Sequence, residues 1–275
     1  MLRSSFLASL MLCGCLAENS FADDVVFYAM GDVPYSAAED LLLPKQIDEL
    51  PDDGLFVVHV GDIKPGKLPC DEAVYEKVSG MLRKSRTPLF IIPGDNEWND
   101  CFDPRTSWTY WEKYFRRFDE QWKHELPVNR QPERDENFAL MYDGVLFLGL
   151  NLVGGRVHDR DEWKQRHAQC LAWTKANLEQ HGSDARAIVI FGHALPRPDH
   201  DDYFEGLNTL AAELDKPFLY LHGDGHRWVH DRPFKAKKIL RVEVDQGGIA
   251  PPVKVTVTDD PAEPFLFDRR MPKTE

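Results

Sequence analysis

Leu55-Phe56-Val57-Val58-His59-Val60-Gly61-Asp62 is the stretch on which the reading of this chain turns. An apolar, β-branched run of strand length stops at a glycine and delivers a carboxylate at its carboxyl end. The pattern recurs on both sides. Upstream, Val25 to Met30 ends in Gly31-Asp32; downstream, Pro88 to Pro93 ends in Gly94-Asp95-Asn96-Glu97, and Ala187 to Phe191 ends in Gly192-His193. Phe218 to Leu221 ends in His222-Gly223-Asp224-Gly225-His226. One Gly-Asp after a strand is an ordinary turn. Five strands in order, each delivering a carboxylate or an imidazole, point to a metal centre, because such oxygen and nitrogen donors suit Zn, Mn or Fe.

These runs are nearly continuous in apolarity, as strands covered on both faces are. Val145 to Leu150, followed by Asn151, is a sixth. Helical patterns lie between them, at Glu72 to Arg83 and Asp161 to Glu179. Trp111, Tyr114, Phe115, Phe118 and Trp122 follow a helical spacing that paints one packing face. Near the end, Leu240 to Val244 and Val253 to Val257 alternate like antiparallel strands joined through Gln246-Gly247-Gly248 and Pro251-Pro252. The predicted fold class is α/β: a two-sheet β-sandwich flanked by helices, with ligands gathered at the carboxyl ends of the strands.

With 275 residues, 43% hydrophobic and 29% charged, the chain reads as an ordinary globular protein with no need of a second domain. Residues 1–22 read as a secretory signal: Arg3, the apolar stretch from Phe6 to Ala17, and small residues before a cut ahead of Asp23. Residues 23–275 then form the domain, and the expected location is periplasmic or secreted. Leu12-Cys13-Gly14-Cys15 offers an alternative, a lipoprotein box with a lipid anchor at Cys15. No later segment is expected to span a membrane. Cutting after residue 22 removes one base, Arg3, and one acid, Glu18, so the net charge stays at −13. Such a surface repels extended nucleic acid, whereas a small phosphorylated substrate held by metal ions remains compatible. Cys70 and Cys101 each follow one of the motif loops, which should lie side by side, and are expected to pair; Cys170 reads as a buried apolar group.

The order Asp32, Gly61-Asp62, Gly94-Asp95-Asn96-Glu97, His193, Gly223-Asp224-Gly225-His226 resembles the signature of the calcineurin-like metallophosphoesterases, and Gly-Asp-Asn-Glu-Trp looks like a bacterial subgroup of them. The resemblance covers Asp32 to His226. It implies a dinuclear site with Asp32, Asp62, Asp95, His193, Asp224 and His226 as metal ligands, Asp62 being the bridging carboxylate. The usual first motif, Asp-x-His, is here Asp32-Val33-Pro34-Tyr35, so the histidine is missing and Tyr35 or water would help the first ion. Asp95 stands for the usual asparagine ligand, Asp224 for a histidine, and Asn96 for the histidine that contacts substrate. The added carboxylates favour harder ions, so the cofactors are two divalent or mixed-valence metal ions among Mn, Fe, Zn and Mg.

The function this implies is metal-dependent hydrolysis of phosphoric esters by metal-activated water, with Asn96 and His222 as the residues of the catalytic step. Asn96 can only donate hydrogen bonds, so a preference for good leaving groups is expected. His222 is read as a ligand, a support for one, or the missing acid. The alternative is a degenerate member that binds metal or a phosphorylated ligand with little turnover. His59 beside the second motif is read as a support for it or a satisfied core histidine. Lys64 is considered for a phosphate oxygen, while His200, His230 and Arg197 are read first as surface groups, with contact to substrate from their loops as the alternative.

Overall fold

The computed structural model describes residues 23–271; the expected signal segment and Cys15 lie outside them. The chain opens with strand β1 (Val25–Met30), helix α1 (Ala37–Asp48), β2 (Val57–His59), α2 (Glu72–Leu82) and β3 (Leu89–Ile91). A π-helical turn (Asp95–Asn99) leads into α3 (Pro104–Phe115). Then come β4 (Asn129–Gln131), β5 (Arg134–Tyr142), β6 (Val145–Gly149), α4 (Arg160–His181), β7 (Ala187–Phe191), α5 (Asp201–Glu213) and β8 (Phe218–His222). The last strands are β9 (Val229–Asp231), β10 (Ile239–Glu243), β11 (Val253–Val257) and β12 (Phe265–Asp268).

Two mixed sheets result, one in the order β12-β11-β1-β2-β3 and one in the order β4-β5-β6-β7-β8-β10-β9. The alternation within each apolar run explains the layering. In β1, Val25, Phe27 and Ala29 enter the core between the sheets, where Phe27 meets Phe56 at 5.4 Å and Phe147 of the other sheet at 5.5 Å. Tyr28 and Met30 point the other way and pack with residues of α1, α2 and α3. The second sheet behaves alike: Val189 and Phe191 face inward, while Ile188 and Ile190 pack against α4 and α5. The architecture is therefore α/β, two packed sheets with helices on both outer faces.

Three expectations need correction. Leu240–Val244 and Val253–Val257 do not pair with each other: β10 runs parallel to β8 in one sheet, and β11 is antiparallel to β1 in the other. The intervening segment, with Gln46 donating to the carbonyls of Gly247 and Ala250, crosses between sheets. The aromatic stripe is not one helix. α3 ends at Phe115, Arg117 takes a left-handed backbone at φ 54°, and Phe118 begins a short 3-10 turn. All five aromatics still reach the same cluster, so packing preserved what the backbone interrupted. The third is His200, read as a surface group, which is buried where α5 begins.

Candidate metal centre

Parallel order puts the carboxyl ends of β1, β2 and β3 side by side, and those of β7 and β8 beside them across the sandwich. Each strand stops because the next residues leave extended geometry. Asp32, Asp62, Asp224 and His226 have φ values of 55°, 64°, 73° and 63°, four of the seven non-glycine residues with positive φ among those described. A side chain in this region costs on the order of 1 kcal/mol, so its concentration in expected ligands marks a site that over-determines its backbone. The loops also touch directly. A Cβ on Gly94 would lie 2.2 Å from the backbone nitrogen of Asp62, and one on Gly61 would lie 2.5 Å from that of Gly94. Only glycine permits that approach.

The side chains converge into two groups whose ligand atoms lie within 4.8 Å of one another: Asp32, Asp62 and His226, and Asp62, Asp95 and His193. Asp62 belongs to both. In the second group, His193 Nε2 lies 3.0 Å from Asp95 Oδ1 and 3.3 Å from Asp62 Oδ1. Its Nδ1 meets the Val60 carbonyl at 2.8 Å and therefore carries the hydrogen, which leaves Nε2 facing two carboxylates. Neither His193 Nε2 nor Asp95 Oδ1 has an aligned hydrogen-bond partner among the described residues. A buried imidazole nitrogen and carboxylate oxygen of this kind, both acceptors, are what a cation with oxygen and nitrogen ligands would satisfy.

Asp224 adjoins the same space. Its Oδ2 lies 2.4 Å from where a Cβ of Gly154 would stand, and Asp95 Oδ1 lies 3.2 Å from that point. Its backbone N–H donates to both oxygens of Asp32, at 3.2 and 3.3 Å. The first group has an additional member. Tyr35 Oη donates to Asp62 Oδ2 at 2.6 Å and approaches Asp32 Oδ1 at 3.3 Å and His226 Nε2 at 3.4 Å. The tyrosine thus reaches all three members of the first group.

Burial raises Asp62 and Asp224 to about 6 and Glu97 to about 8, and the neighbouring carboxylates push in the same direction. Burial pushes Asp95 upward as well, but pairing with His193 outweighs it and leaves Asp95 below its usual value. Burial alone would lower His193; Asp62 and Asp95 overcome that and raise it well above the ordinary imidazole value.

A ring of supports fixes the ligands. Glu97 Oε1 accepts the backbone N–H groups of Gly94 at 2.6 Å and Asp62 at 3.2 Å, joining the second and third motifs. His59, buried and held neutral with its pKa lowered to about 4 by burial, joins the Val33 carbonyl to the Gly61 N–H. Asn96 donates from Nδ2 to Asp62 Oδ2 and to Tyr35 Oη at 3.1 Å, and from its backbone to Asp62 Oδ1 at 3.0 Å. Glu243 is buried under Gly225 and accepts the Arg227 N–H at 3.3 Å, shaping the loop that carries Asp224 and His226. Cys70 and Cys101 form a disulfide whose sulfurs each lie 3.5 Å from the Asn96 carbonyl oxygen.

The other histidines part company. His222 lies outside both groups: it is fully buried, stacks on Tyr220 at 5.1 Å, and turns Nδ1 to the Gly223 carbonyl. Burial drives its pKa down to about 3, so at neutral pH it is the neutral imidazole, its one hydrogen on Nδ1 held by the Gly223 carbonyl. His200, expected at the surface, is buried and stacked on Trp163 at 5.1 Å. Lys64 is buried and donates to the carbonyls of Pro65 and Leu68, capping its own turn. Asn151 is buried and donates to Glu136 at 2.8 Å. Arg197 and His230 are exposed. Sequence reasoning gave Glu97 and Glu243 no role; the first had a signal in its place within the third motif, the second had none.

No protein-family model matches the chain, and no curated protein does. Matches among solved structures number 15. One of them, a crystal structure, is 11% identical with a TM-score of 0.45, over 90% of this chain and 99% of its own. Among the described residues no helix is long and apolar enough to cross a membrane.

Proposed function

We propose that the protein hydrolyses phosphoric esters at a pair of metal ions, in the manner of the calcineurin-like metallophosphoesterases that its motifs resemble. The observation that carries this reading is Asp62, one carboxylate shared by two ligand groups. Asp32, His226 and Tyr35 would hold one ion with it; Asp95, His193 and Asp224 the other. Such ions, when bound, supply Lewis acidity that activates water and offsets phosphoryl charge. Mn, Fe, Zn and Mg all fit a set this rich in carboxylates.

The chain's own groups do the rest. Glu97 and His59 fix the loops of Asp62 and Asp32, so the ligands need not reorganise as charge develops. Asn96 Nδ2 spends its two N–H groups on Asp62 Oδ2 and Tyr35 Oη, so it positions those two side chains and would reach a substrate oxygen only by releasing one of them. Neither Asn96 nor the buried, neutral His222 delivers a proton to the leaving group, so the favoured substrates are small esters or anhydrides with good leaving groups. The disulfide fits an oxidising compartment, which supports a periplasmic or secreted location.

That missing proton donor also favours a second reading, binding of metal or a phosphorylated ligand with little turnover. The test is a series of aryl phosphate mono- and diesters assayed with added Mn, Fe or Zn. The proposal expects metal-dependent hydrolysis that falls steeply as the leaving-group pKa rises. Hydrolysis unaffected by chelators would refute it, and tight binding of two ions with no hydrolysis of any ester would select the second reading.

A further inference from the structure

The turn that carries Asp95 also carries Trp98, and the loop that sets Gly154 against Asp95 and Asp224 also carries Asn151 and His158. Trp98, Asn151 and His158 line a second concavity, of about 720 Å³, between the starts of α3 and α4. None of the expected metal ligands lines it.

Its polar groups are unfinished. Trp98 Nε1 and Asn151 Oδ1 are buried without a hydrogen-bond partner among the described residues, one a donor and the other an acceptor. Asn99 Nδ2 donates to Gly154 and Arg156 carbonyls, so its Oδ1 accepts from Trp163 Nε1 and from His158 Nδ1 at 2.7 Å. That fixes the hydrogen of His158 on Nδ1 and leaves Nε2 as a further acceptor. Arg105 has an unpaired, exposed guanidinium among the described residues, and Arg134 spreads its donors over Gln169, Glu136 and Glu162. The lining holds two guanidinium groups, Arg105 and Arg134, and two carboxylates, Asp159 and Glu162, so its formal charges balance.

The aromatic wall is also specific. Trp98 and Trp108 touch, with centroids 4.9 Å apart, so no flat ring fits between them. Trp108 stacks on Trp111 at 5.0 Å, and Trp98 receives the Arg166 guanidinium at 5.2 Å. A nucleobase therefore cannot be sandwiched between the two indoles, and a ligand can pack on one side of the wall only. What remains is indole surface bordered by donors and acceptors in similar number, which matches a saturated ring whose C–H groups pack on tryptophan and whose hydroxyls both donate and accept.

We infer that this concavity binds a neutral sugar of one or two pyranose rings. The inference stands on the cavity alone and does not depend on the metal centre. The experiment is a tryptophan-fluorescence titration of the intact protein with glucose, maltose and N-acetylglucosamine, with adenosine and glucose 6-phosphate as contrasts. At least one neutral sugar should give a saturable change, and bind more tightly than adenosine or the phosphorylated sugar. Trp108→Ala should weaken it by about tenfold or more. Arg105→Gln, at an exposed position that leaves the fold intact, should weaken it severalfold, while Trp228→Phe, outside the cavity, should not. No saturable response to any of the three sugars, tighter binding of adenosine or of the phosphorylated sugar, or unchanged affinity in both cavity variants would overturn the inference.

Discussion

The phenolic oxygen of Tyr35 lies 2.6 Å from Oδ2 of Asp62, and the same oxygen approaches both other members of the first ligand group. This places a phenolic oxygen within the first ligand group. Tyr35→Phe should leave the fold intact, because it removes one hydroxyl from a surrounding still held by Asn96 and Glu97. It should lower the affinity of one of two ions by about 10–100-fold and spare the other. Calorimetric titration with Mn or Zn resolves the two steps; equal weakening of both, or of neither, would remove Tyr35 from the first group.

Stability should depend on pH in an unusual direction in the metal-free protein. Asp62 and Asp224 are raised to about 6 and Glu97 to about 8, mainly by burial, from unfolded values near 4. The folded state thus binds more protons than the unfolded one, and stability present in mild acid is lost as pH rises through 6 to 8. His193, raised by Asp62 and Asp95 against its burial, adds in the same direction. Asp95, below its usual value, opposes this only at more acid pH. Melting curves of chelator-treated protein should show a lower Tm at pH 8.5 than at pH 5.5, and added metal should remove the difference. A Tm that rises over this range without metal would contradict these assignments.

The disulfide should matter to both the fold and the site. Its closed loop spans a sequence separation of 31, which by the chain-entropy argument is worth about 3–4 kcal/mol. Replacing Cys70 and Cys101 with serine should therefore lower Tm by about 5–10 °C. Because the sulfurs rest on the Asn96 carbonyl, it should also weaken the ion held by Asp95 more than the one held by Asp32. A scanning calorimeter measures the first effect and metal titration the second.

Gly94→Ala should be among the most damaging small substitutions. The added methyl would lie 2.2 Å from the Asp62 backbone nitrogen, in a contact between two backbones that no side-chain rotation can relieve. A loss of about 2 kcal/mol or more is expected, together with loss of metal binding. Chemical denaturation checks the first, and a variant of wild-type stability would count against the close packing of these loops.

Much of this was legible in the sequence because parallel strands buried on both faces announce themselves. The runs ending at Asp32, Asp62, Asp95, His193 and Asp224 gave the sheets and the edge at which their ends meet, and the loops of Cys70 and Cys101 gave their pairing. The partner of β10 was not legible, since alternation reports a half-buried strand and says nothing about which sheet it joins. Nor was the break at Arg117, where the periodic aromatics continued past a left-handed residue. The place of His222 was hidden for a different reason: as the last residue of β8, one position decides between the ligand edge and the helix-covered face. Glu243 comes from a strand distant in sequence and touches the site only through the folded loop.

Asp62 is the residue on which the account rests, and the metal content of purified variants tests it most directly. Elemental analysis after equilibration with Mn, Fe or Zn should find two ions per chain in the wild type, one in His226→Ala and none in Asp62→Ala, with all three folded by circular dichroism. A folded Asp62→Ala that retains two ions, or a wild type that holds none, would contradict a shared carboxylate between two metal sites.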